Sequence, residues 1–65
     1  MRVLVTGING FVGAYLRREL EIRGHSIIGL DVVSGSDDVI AGDITDPQAT
    51  KEIVDRVNPD AIIHL

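Results

Sequence analysis

Hydrophobic positions along the chain form short apolar runs that are separated by stretches with helical spacing. Arg2–Thr6 is a β-branched apolar run that ends at Gly7, which is typical of a strand buried on both faces. Over Phe11–Arg23 the apolar residues instead recur at intervals of four: Val12, Leu16 and Leu20. This spacing predicts an amphipathic helix, and Gly24 suits the left-handed residue that closes a helix.

The middle of the chain contains two further strand candidates. Ser26–Asp31 is a second apolar run, and Val39–Ala41 is a brief third one. Between them lies Val32–Asp38, which is rich in serine, glycine and aspartate and is predicted to be a loop. We therefore expect two strands to be joined here without a helix.

A second helix is predicted to begin at Pro47. Proline fits the first helical position, and Asp46 before it can cap the free backbone amides. The apolar stripe of this helix comprises Ala49, Ile53 and Val57. The proline-containing segment Asn58–Asp60 ends the helix, and Ala61–Leu65 begins a fourth apolar strand.

The resulting order of elements is strand, helix, strand, strand, helix, strand. All-apolar strands that alternate with helices predict an α/β protein whose parallel sheet is covered on both faces. Right-handed crossovers restrict the topology to a doubly wound sheet of the Rossmann type. Because the chain stops within an apolar strand at Leu65, we expect residues 1–65 to be the amino-terminal half of a nucleotide-binding domain, with the remainder absent.

Composition excludes several classes of protein. The 65 residues include no cysteine, so disulfides, cysteine-ligated zinc and thiol catalysis are excluded. The net charge is −4, and the arginines of the first helix are mixed with glutamates, which disfavours nucleic-acid binding. No apolar run approaches the roughly 20 residues of a membrane span, and the start lacks a signal-peptide layout. We expect a cytoplasmic protein with no membrane partner and, at this length, a marginal core.

The loop between the first strand and the first helix carries the clearest chemical signal. Gly7 permits a sharp turn, Gly10 lets a pyrophosphate approach the backbone, and Gly13 lets the helix pack closely on the sheet. Free amides at the start of the helix would bind the phosphate anions. The GxxGxxG spacing differs from GxGxxG, and the absence of a following Gly-Lys-Ser/Thr excludes a P-loop. A glycine-rich turn without a ligand is the alternative.

Two aspartates follow strands that end at the same edge of the predicted sheet. Asp31 lies 18 residues after Gly13, close to the ~20-residue offset of a ribose-binding acid. The residues after it offer no arginine for a 2′-phosphate, which favours NAD over NADP. Asp43 could accept from the exocyclic amine of adenine, and Ile44 could pack against the ring. The alternative is that both acids only terminate or turn the chain, and helix capping is the interpretation for Asp46.

Two other kinds of site find no support in the sequence. The aspartates lack the spacing of a calcium-binding loop, so no metal site is predicted. His25 lies in a turn and His64 lies within an apolar strand. Neither has a nucleophile or a paired carboxylate at a motif spacing, so both are interpreted as structural.

Four segments in register resemble a known family: Thr6–Gly13, Gly29–Asp31, Gly42–Asp46 and Pro59–Leu65. They resemble the extended short-chain dehydrogenases/reductases, the group of NAD-dependent epimerases and dehydratases. The resemblance covers the whole chain and implies a larger Rossmann domain followed by a smaller carboxyl-terminal substrate domain.

The resemblance also implies a role for each matched position. The glycine motif would bind the pyrophosphate of NAD, with the strand-end acids on its ribose and adenine. The predicted cofactor-binding residues are Gly7, Asn9, Gly10, Phe11, Val12, Gly13, Asp31, Asp43 and Ile44. The family's catalytic Tyr-x-x-x-Lys is absent, since Tyr15 is followed by Leu-Arg-Arg-Glu, and this tyrosine is assigned to packing. No catalytic residue is predicted within the chain.

These features predict the NAD-binding part of a nucleotide-sugar epimerase, 4,6-dehydratase or 4-keto-reductase. The resemblance implies a nucleotide-sugar substrate for the whole protein, and a homodimer is expected. The 65-residue chain alone is expected to catalyse nothing. A non-enzymatic NAD(P)-sensing module and a structural fragment without activity are the alternatives. A Tyr-x-x-x-Lys in downstream sequence would favour the enzyme over the sensor.

Overall fold

The computed structural model describes all of residues 1–65. In chain order its elements are β1 (Arg2–Thr6), α1 (Phe11–Ile22), β2 (Ser26–Asp31), β3 (Val39–Ala41), α2 (Pro47–Val57) and β4 (Ala61–His64). Every predicted strand and helix is confirmed. The only differences are that α1 and β4 each end one residue earlier than the sequence pattern predicts.

The four strands form one parallel sheet in the order β3-β2-β1-β4. Leu4 in the centre of β1 pairs with Ile28 on one side and Ile62 on the other. The order of strands reverses between β1 and β4, because the chain first builds outward through β2 and β3 and then crosses back. This reversal is the defining feature of a doubly wound sheet, so the predicted α/β fold class is confirmed.

The core is divided by the sheet into two apolar clusters. Alternate residues of β1 point to opposite faces, as the pleat requires. One cluster contains Val3 and Val5 and packs against α1, with these members: Val3, Val5, Ile8, Ile27 and Val39. The other contains Leu4 and packs against α2: Leu4, Leu30, Ile53 and Val57. Each helix therefore covers a different face of the sheet.

The exposed face of α1 corrects two expectations from the sequence. Val12 was expected on the apolar stripe, but its side chain is 61% exposed. Tyr15 was assigned to packing but is 64% exposed, and its ring lies edge-on to that of Phe11 at a centroid distance of 5.2 Å. The inward face instead begins at Gly13, because this helix approaches the sheet through a residue without a side chain.

Both helices end as the sequence predicts. Gly24 has φ +85°, and its N–H donates to the carbonyl of Glu21 at 3.0 Å. The next residue, His25, donates to the carbonyl of Leu20 at 3.0 Å, which completes a Schellman motif. At the end of α2 the left-handed residue is Asn58, with φ 49°.

The loop between β2 and β3 connects two parallel strands without a helix, as the sequence predicts. This is possible because β3 pairs only with the last residues of β2, starting from the Gly29–Val39 partners. After β2 the chain has to run back along that strand by only about three residues, or roughly 10 Å, before it begins β3 parallel to β2. The N–H of Gly29 donates to the carbonyl of Asp38 at 2.8 Å and fixes this return.

Close packing around Ile8 fixes the start of α1. A Cβ atom at Gly13 would lie 2.6 Å from the carbonyl carbon of Ile8 and would overlap its oxygen. On the other side, the Ile8 side chain fills the space left by Gly29, where a Cβ would lie 3.0 Å from the Cβ of Ile8. Ile8 itself is only 2% exposed. These two glycines therefore set how close helix, loop and sheet can come.

We expect Gly13→Ala to destabilise the fold by about 1–3 kcal/mol, the usual cost of overpacking a rigid contact. Alanine has the higher helix propensity, so a loss of stability would come from the contact with Ile8. The measurement is the free energy of unfolding in urea. The matched control is Val12→Ala, which also places alanine in the first turn but at an exposed position, and should change stability by no more than about 0.5 kcal/mol. Equal effects of the two substitutions would contradict the packing account.

Candidate functional site

The carboxyl ends of the four parallel strands meet at one edge of the sheet, where a cavity of about 260 Å³ opens. Its lining residues are Thr6, Gly7, Leu30, Asp31, Val32, Gly42, Asp43, Ile44, Thr45 and Leu65. The cavity brings together four of the predicted site residues: Gly7, Asp31, Asp43 and Ile44. The other predicted residues lie outside this lining, on the loop after Gly7 and the first turn of α1: Asn9, Gly10, Phe11, Val12 and Gly13.

The three glycines of the loop are under different structural constraints. Gly7 adopts φ +72°, where an L side chain is strained, and a Cβ there would lie 3.3 Å from the oxygen of Leu65. A glycine is required at position 13 because a side chain there would clash with the backbone of Ile8. Gly10 has an ordinary φ of −75°, is exposed, and a Cβ on it would only touch the oxygen of Gly7 at 3.4 Å. The fold itself therefore does not require a glycine at position 10.

The N-termini of the two helices differ in how their amides are satisfied. The side chain of Asp46 accepts from Gln48 and Ala49 at 3.1 and 3.2 Å, so α2 is capped as predicted. The first residue before α1 is Gly10, which has no side chain to act as a cap, and the first turn contains no acidic residue. The N–H groups of Phe11 and Val12 find no acceptor in the protein. The start of α1 therefore presents free donors and the positive end of a helix dipole.

Asp31 ties the glycine loop to the end of β2. Its Oδ2 accepts from the N–H of Asn9 at 3.0 Å, and its Oδ1 accepts from the N–H of Val32 at 2.7 Å. The carboxylate is partly exposed and lines the cavity. Because an ionised carboxylate has about four acceptor positions, two remain for hydroxyl donors of a ligand.

Asp43 is held by the threonine two residues after it. The hydroxyl of Thr45 donates to its Oδ1 at 2.6 Å, and the N–H of Thr45 donates to the same atom at 2.9 Å. These hydrogen bonds, the hydroxyl first, keep the pKa of the Asp43 carboxyl below its ordinary value. Ile44 between them is 45% exposed at the mouth of the cavity.

Both histidines have contacts with the protein. The Nδ1 of His64 lies 2.6 Å from the hydroxyl of Thr6, its partner in the register of β1 and β4. The Nδ1 of His25 lies 3.0 Å from the amino group of Met1. No group of His, Cys, Asp or Glu side chains is placed to hold a metal ion. No helix is long and apolar enough to cross a membrane.

Six residues that line the cavity are not among the predicted site residues: Thr6, Leu30, Val32, Gly42, Thr45 and Leu65. Three of them, Thr6, Leu65 and Thr45, follow from rules that were available. In open α/β sheets, ligands lie beyond the carboxyl ends of the strands, and Thr6 and Leu65 lie at the ends of β1 and β4. Thr45 is two residues after an aspartate, which is the spacing of a side-chain turn.

The sequence matches the NAD dependent epimerase/dehydratase family over residues 3–65. The chain belongs to this family. It is 35% identical, over 95 aligned residues, to the UDP-sulfoquinovose synthase of Sulfolobus acidocaldarius, covering 98% of this chain and 24% of that protein. The four segments that resemble NAD-dependent epimerases and dehydratases therefore lie in a member of that family.

Two solved structures of this type share the fold. The UDP-glucose 4-epimerase of Thermus thermophilus, in complex with NAD, superimposes with a TM-score of 0.85 and is 26% identical, over 98% of this chain and 23% of that one. The L-threonine dehydrogenase of Clostridium difficile gives a TM-score of 0.83 at 26% identity, with the same coverage of 98% and 23%. The chain therefore spans about a quarter of the length of these relatives.

We expect Thr45→Val to raise the pKa of Asp43 toward the ordinary value, because the variant removes the hydroxyl donor. A carboxyl whose pKa is lowered in the folded state stabilises the fold above its unfolded pKa, and this contribution is lost as the pH falls through the folded pKa. The stability difference between wild type and variant should therefore shrink on acidification. The measurement is an NMR titration of the Asp43 carboxyl carbon, with Thr50→Val on α2 as the control. An unchanged pKa would contradict the assignment.

Proposed function

We propose that the chain is the amino-terminal, NAD-binding part of a nucleotide-sugar epimerase, 4,6-dehydratase or 4-keto-reductase. Family membership supports an NAD-dependent enzyme for the whole protein. The nucleotide-sugar class is supported by the relative that is 35% identical, a UDP-sulfoquinovose synthase, and by the UDP-glucose 4-epimerase. A homodimer and a cytoplasmic location stay predictions.

One observation carries the cofactor assignment: the free amides at the start of α1 lie beside a cavity that is lined by a strand-end carboxylate. This donor set fits a dinucleotide. A diphosphate needs free N–H groups and a positive helix end, and a ribose needs an acceptor for its hydroxyls. Gly10 adds to the fit, since the fold has no need of a glycine there while a ligand that approaches the backbone does.

The residues divide into three binding functions. The free N–H groups of Phe11 and Val12 would hold the diphosphate, which approaches the backbone at Gly10, with Gly7, Asn9 and Gly13 shaping the loop. Asp31 would accept from the hydroxyls of the ribose. Asp43 and Ile44 would contact the adenine, the first through a carboxylate oxygen and the second through its exposed side chain.

When bound, NAD supplies the hydride-accepting chemistry that such enzymes use. The chain's own contribution is to bind and orient it. Tyr15, the only tyrosine, is followed by Leu16, Arg17, Arg18 and Glu19, and lies exposed on α1. It therefore does not supply the Tyr-x-x-x-Lys arrangement that the family's chemistry needs. Incubation of the chain with NAD and UDP-glucose should show binding of NAD without conversion of the sugar.

We expect Gly10→Asp to stabilise the fold and weaken NAD binding at the same time. The new carboxylate would cap α1 and complement its dipole, adding a few tenths to about 1 kcal/mol of stability. It would also occupy the free amides and repel a diphosphate, so NAD affinity should fall by roughly tenfold or more, about 1.4 kcal/mol. Thermal unfolding and isothermal titration calorimetry measure the two effects.

The matched control for this experiment is Gln48→Glu, which adds the same charge to the first turn of α2. It should leave NAD affinity unchanged. If Gly10→Asp bound NAD as tightly as the wild type, the diphosphate assignment would be wrong. If both variants weakened binding equally, the effect would be one of overall charge and not of the α1 terminus.

We expect NAD to bind more tightly than NADP by at least about tenfold, because a 2′-phosphate next to Asp31 would meet a carboxylate and no compensating cation. Asp31→Ala should narrow this ratio, mainly by weakening NAD. The control is Asp37→Ala, which removes the same charge from the exposed loop before β3. Calorimetric titration with both cofactors gives the ratio. Tighter binding of NADP by the wild type would overturn the assignment of Asp31.

A further inference from the structure

Asn9 connects the glycine loop to the loop that follows β2. Its side-chain Nδ2 donates to the carbonyl of Val33 at 2.6 Å, while its backbone N–H donates to Asp31 at 3.0 Å. Its side chain also lies against Gly35, where a Cβ would be 3.7 Å from Nδ2. Asn9 thus contacts both the carboxylate of Asp31 and the backbone of the loop that follows Asp31.

The two ends of the Val32–Asp38 loop are held differently. At the far end, Asp38 forms an ion pair with Arg17 of α1 and accepts from the hydroxyl of Ser36 at 2.8 Å. At the near end, Val32 and Val33 are 74% and 65% exposed, so apolar packing does not hold them. The near end therefore depends on hydrogen bonds to two side chains outside this loop: Asp31 accepts from the N–H of Val32, and Asn9 donates to the carbonyl of Val33.

The near end also forms the wall of the cavity next to Asp31. Val32 lines the cavity directly, and its N–H donates to Asp31 at 2.7 Å. This wall presents an apolar side chain and a carboxylate to a ligand. The arginine of α1 that contacts the loop, Arg17, is paired with Asp38 and Glu21. A ligand group placed at this wall thus meets negative charge and no cation of the loop.

We propose that Asn9 is a positioning residue for cofactor selectivity: its side chain holds the Val32–Val33 wall against Asp31, so that a ribose with free hydroxyls is accepted and a 2′-phosphorylated one is rejected. This inference rests on the proposed function. It assigns to the Asn9 side chain a contact with the protein rather than with the diphosphate. Selectivity then depends on a hydrogen bond that the cofactor does not touch.

Asn9→Ala tests this directly, because it removes the side-chain donor and keeps the backbone N–H that binds Asp31. We expect NAD affinity to fall by about threefold to tenfold, the range of one hydrogen bond, with no parallel fall for NADP. The ratio of the two affinities should therefore decrease. Asn9→Asp is close to isosteric but places an acceptor opposite the carbonyl oxygen of Val33, so it should decrease the ratio of affinities further. This variant provides the test if the alanine variant is poorly folded.

The matched control is Ser36→Ala, which removes a hydrogen bond from the far end of the same loop and should leave the ratio unchanged. Amide hydrogen exchange should become faster at Val32, whose N–H donates to Asp31, in the Asn9 variants and should stay unchanged in strand β1. If the wild type binds NAD and the Asn9 variants keep its NAD/NADP ratio, the role of Asn9 is overturned alone. If the wild type binds neither cofactor, the proposed function fails, and this inference fails with it.

Discussion

The position of α1 is set by the contact between Gly13 and the backbone of Ile8. Because no side chain separates them, the helix lies against the loop that leaves β1, and a Cβ would already be 2.6 Å from the Ile8 carbonyl carbon. The Ile8 side chain in turn fills the gap at Gly29 in β2. The start of α1 is thereby fixed beside the carboxyl edge of the sheet. The free amides of the helix are placed next to the cavity by packing, and no polar side chain of the loop competes for them.

The acidic residues of this edge stabilise the site as well as lining it. Asp31 joins the glycine loop to β2, and Asp43 forms a turn with Thr45. Hydrogen bonds from the protein fix the direction of each carboxylate before a ligand is present, which lowers the ordering cost of binding. Asp46 contrasts with both, since its carboxylate serves only to cap α2. The capped helix and the uncapped one begin at the same edge, and only the uncapped one has donors left for an anion.

Much of the fold could be predicted from the sequence, because its signals are local. Apolar runs marked the strands, and Gly24, Asp46 and Asn58 marked helix ends through chemistry that acts within a few residues. The three-residue strand β3 was found in the same way, from an apolar run between polar segments. The positions of Gly7, Asp31 and Asp43 around one cavity followed from the rule that parallel strands end at a common edge.

The features that the sequence did not predict depend on contacts between distant segments. The four-residue spacing of Val12 and Leu16 predicts that Val12 faces the sheet. Because α1 packs closely through Gly13, the buried face of the helix begins at Gly13 instead, and Val12 is exposed. The pairing of Ile8 with Gly29, and of Asn9 with Val33, joins residues more than 20 positions apart, which no periodicity in one segment reveals. These are also the contacts that shape the loop around the site.

The central claim is that the open N-terminus of α1 and the adjoining cavity form one dinucleotide site. The most direct measurement is a titration of the isotope-labelled chain with NAD, followed by the NMR shifts of its backbone amides. The account predicts saturable shifts at Gly10, Phe11 and Val12 together with Asp31 and Ile44, and no shifts at the far end of α2 around Val57. An absence of shifts, or shifts confined to residues away from this edge of the sheet, would contradict it.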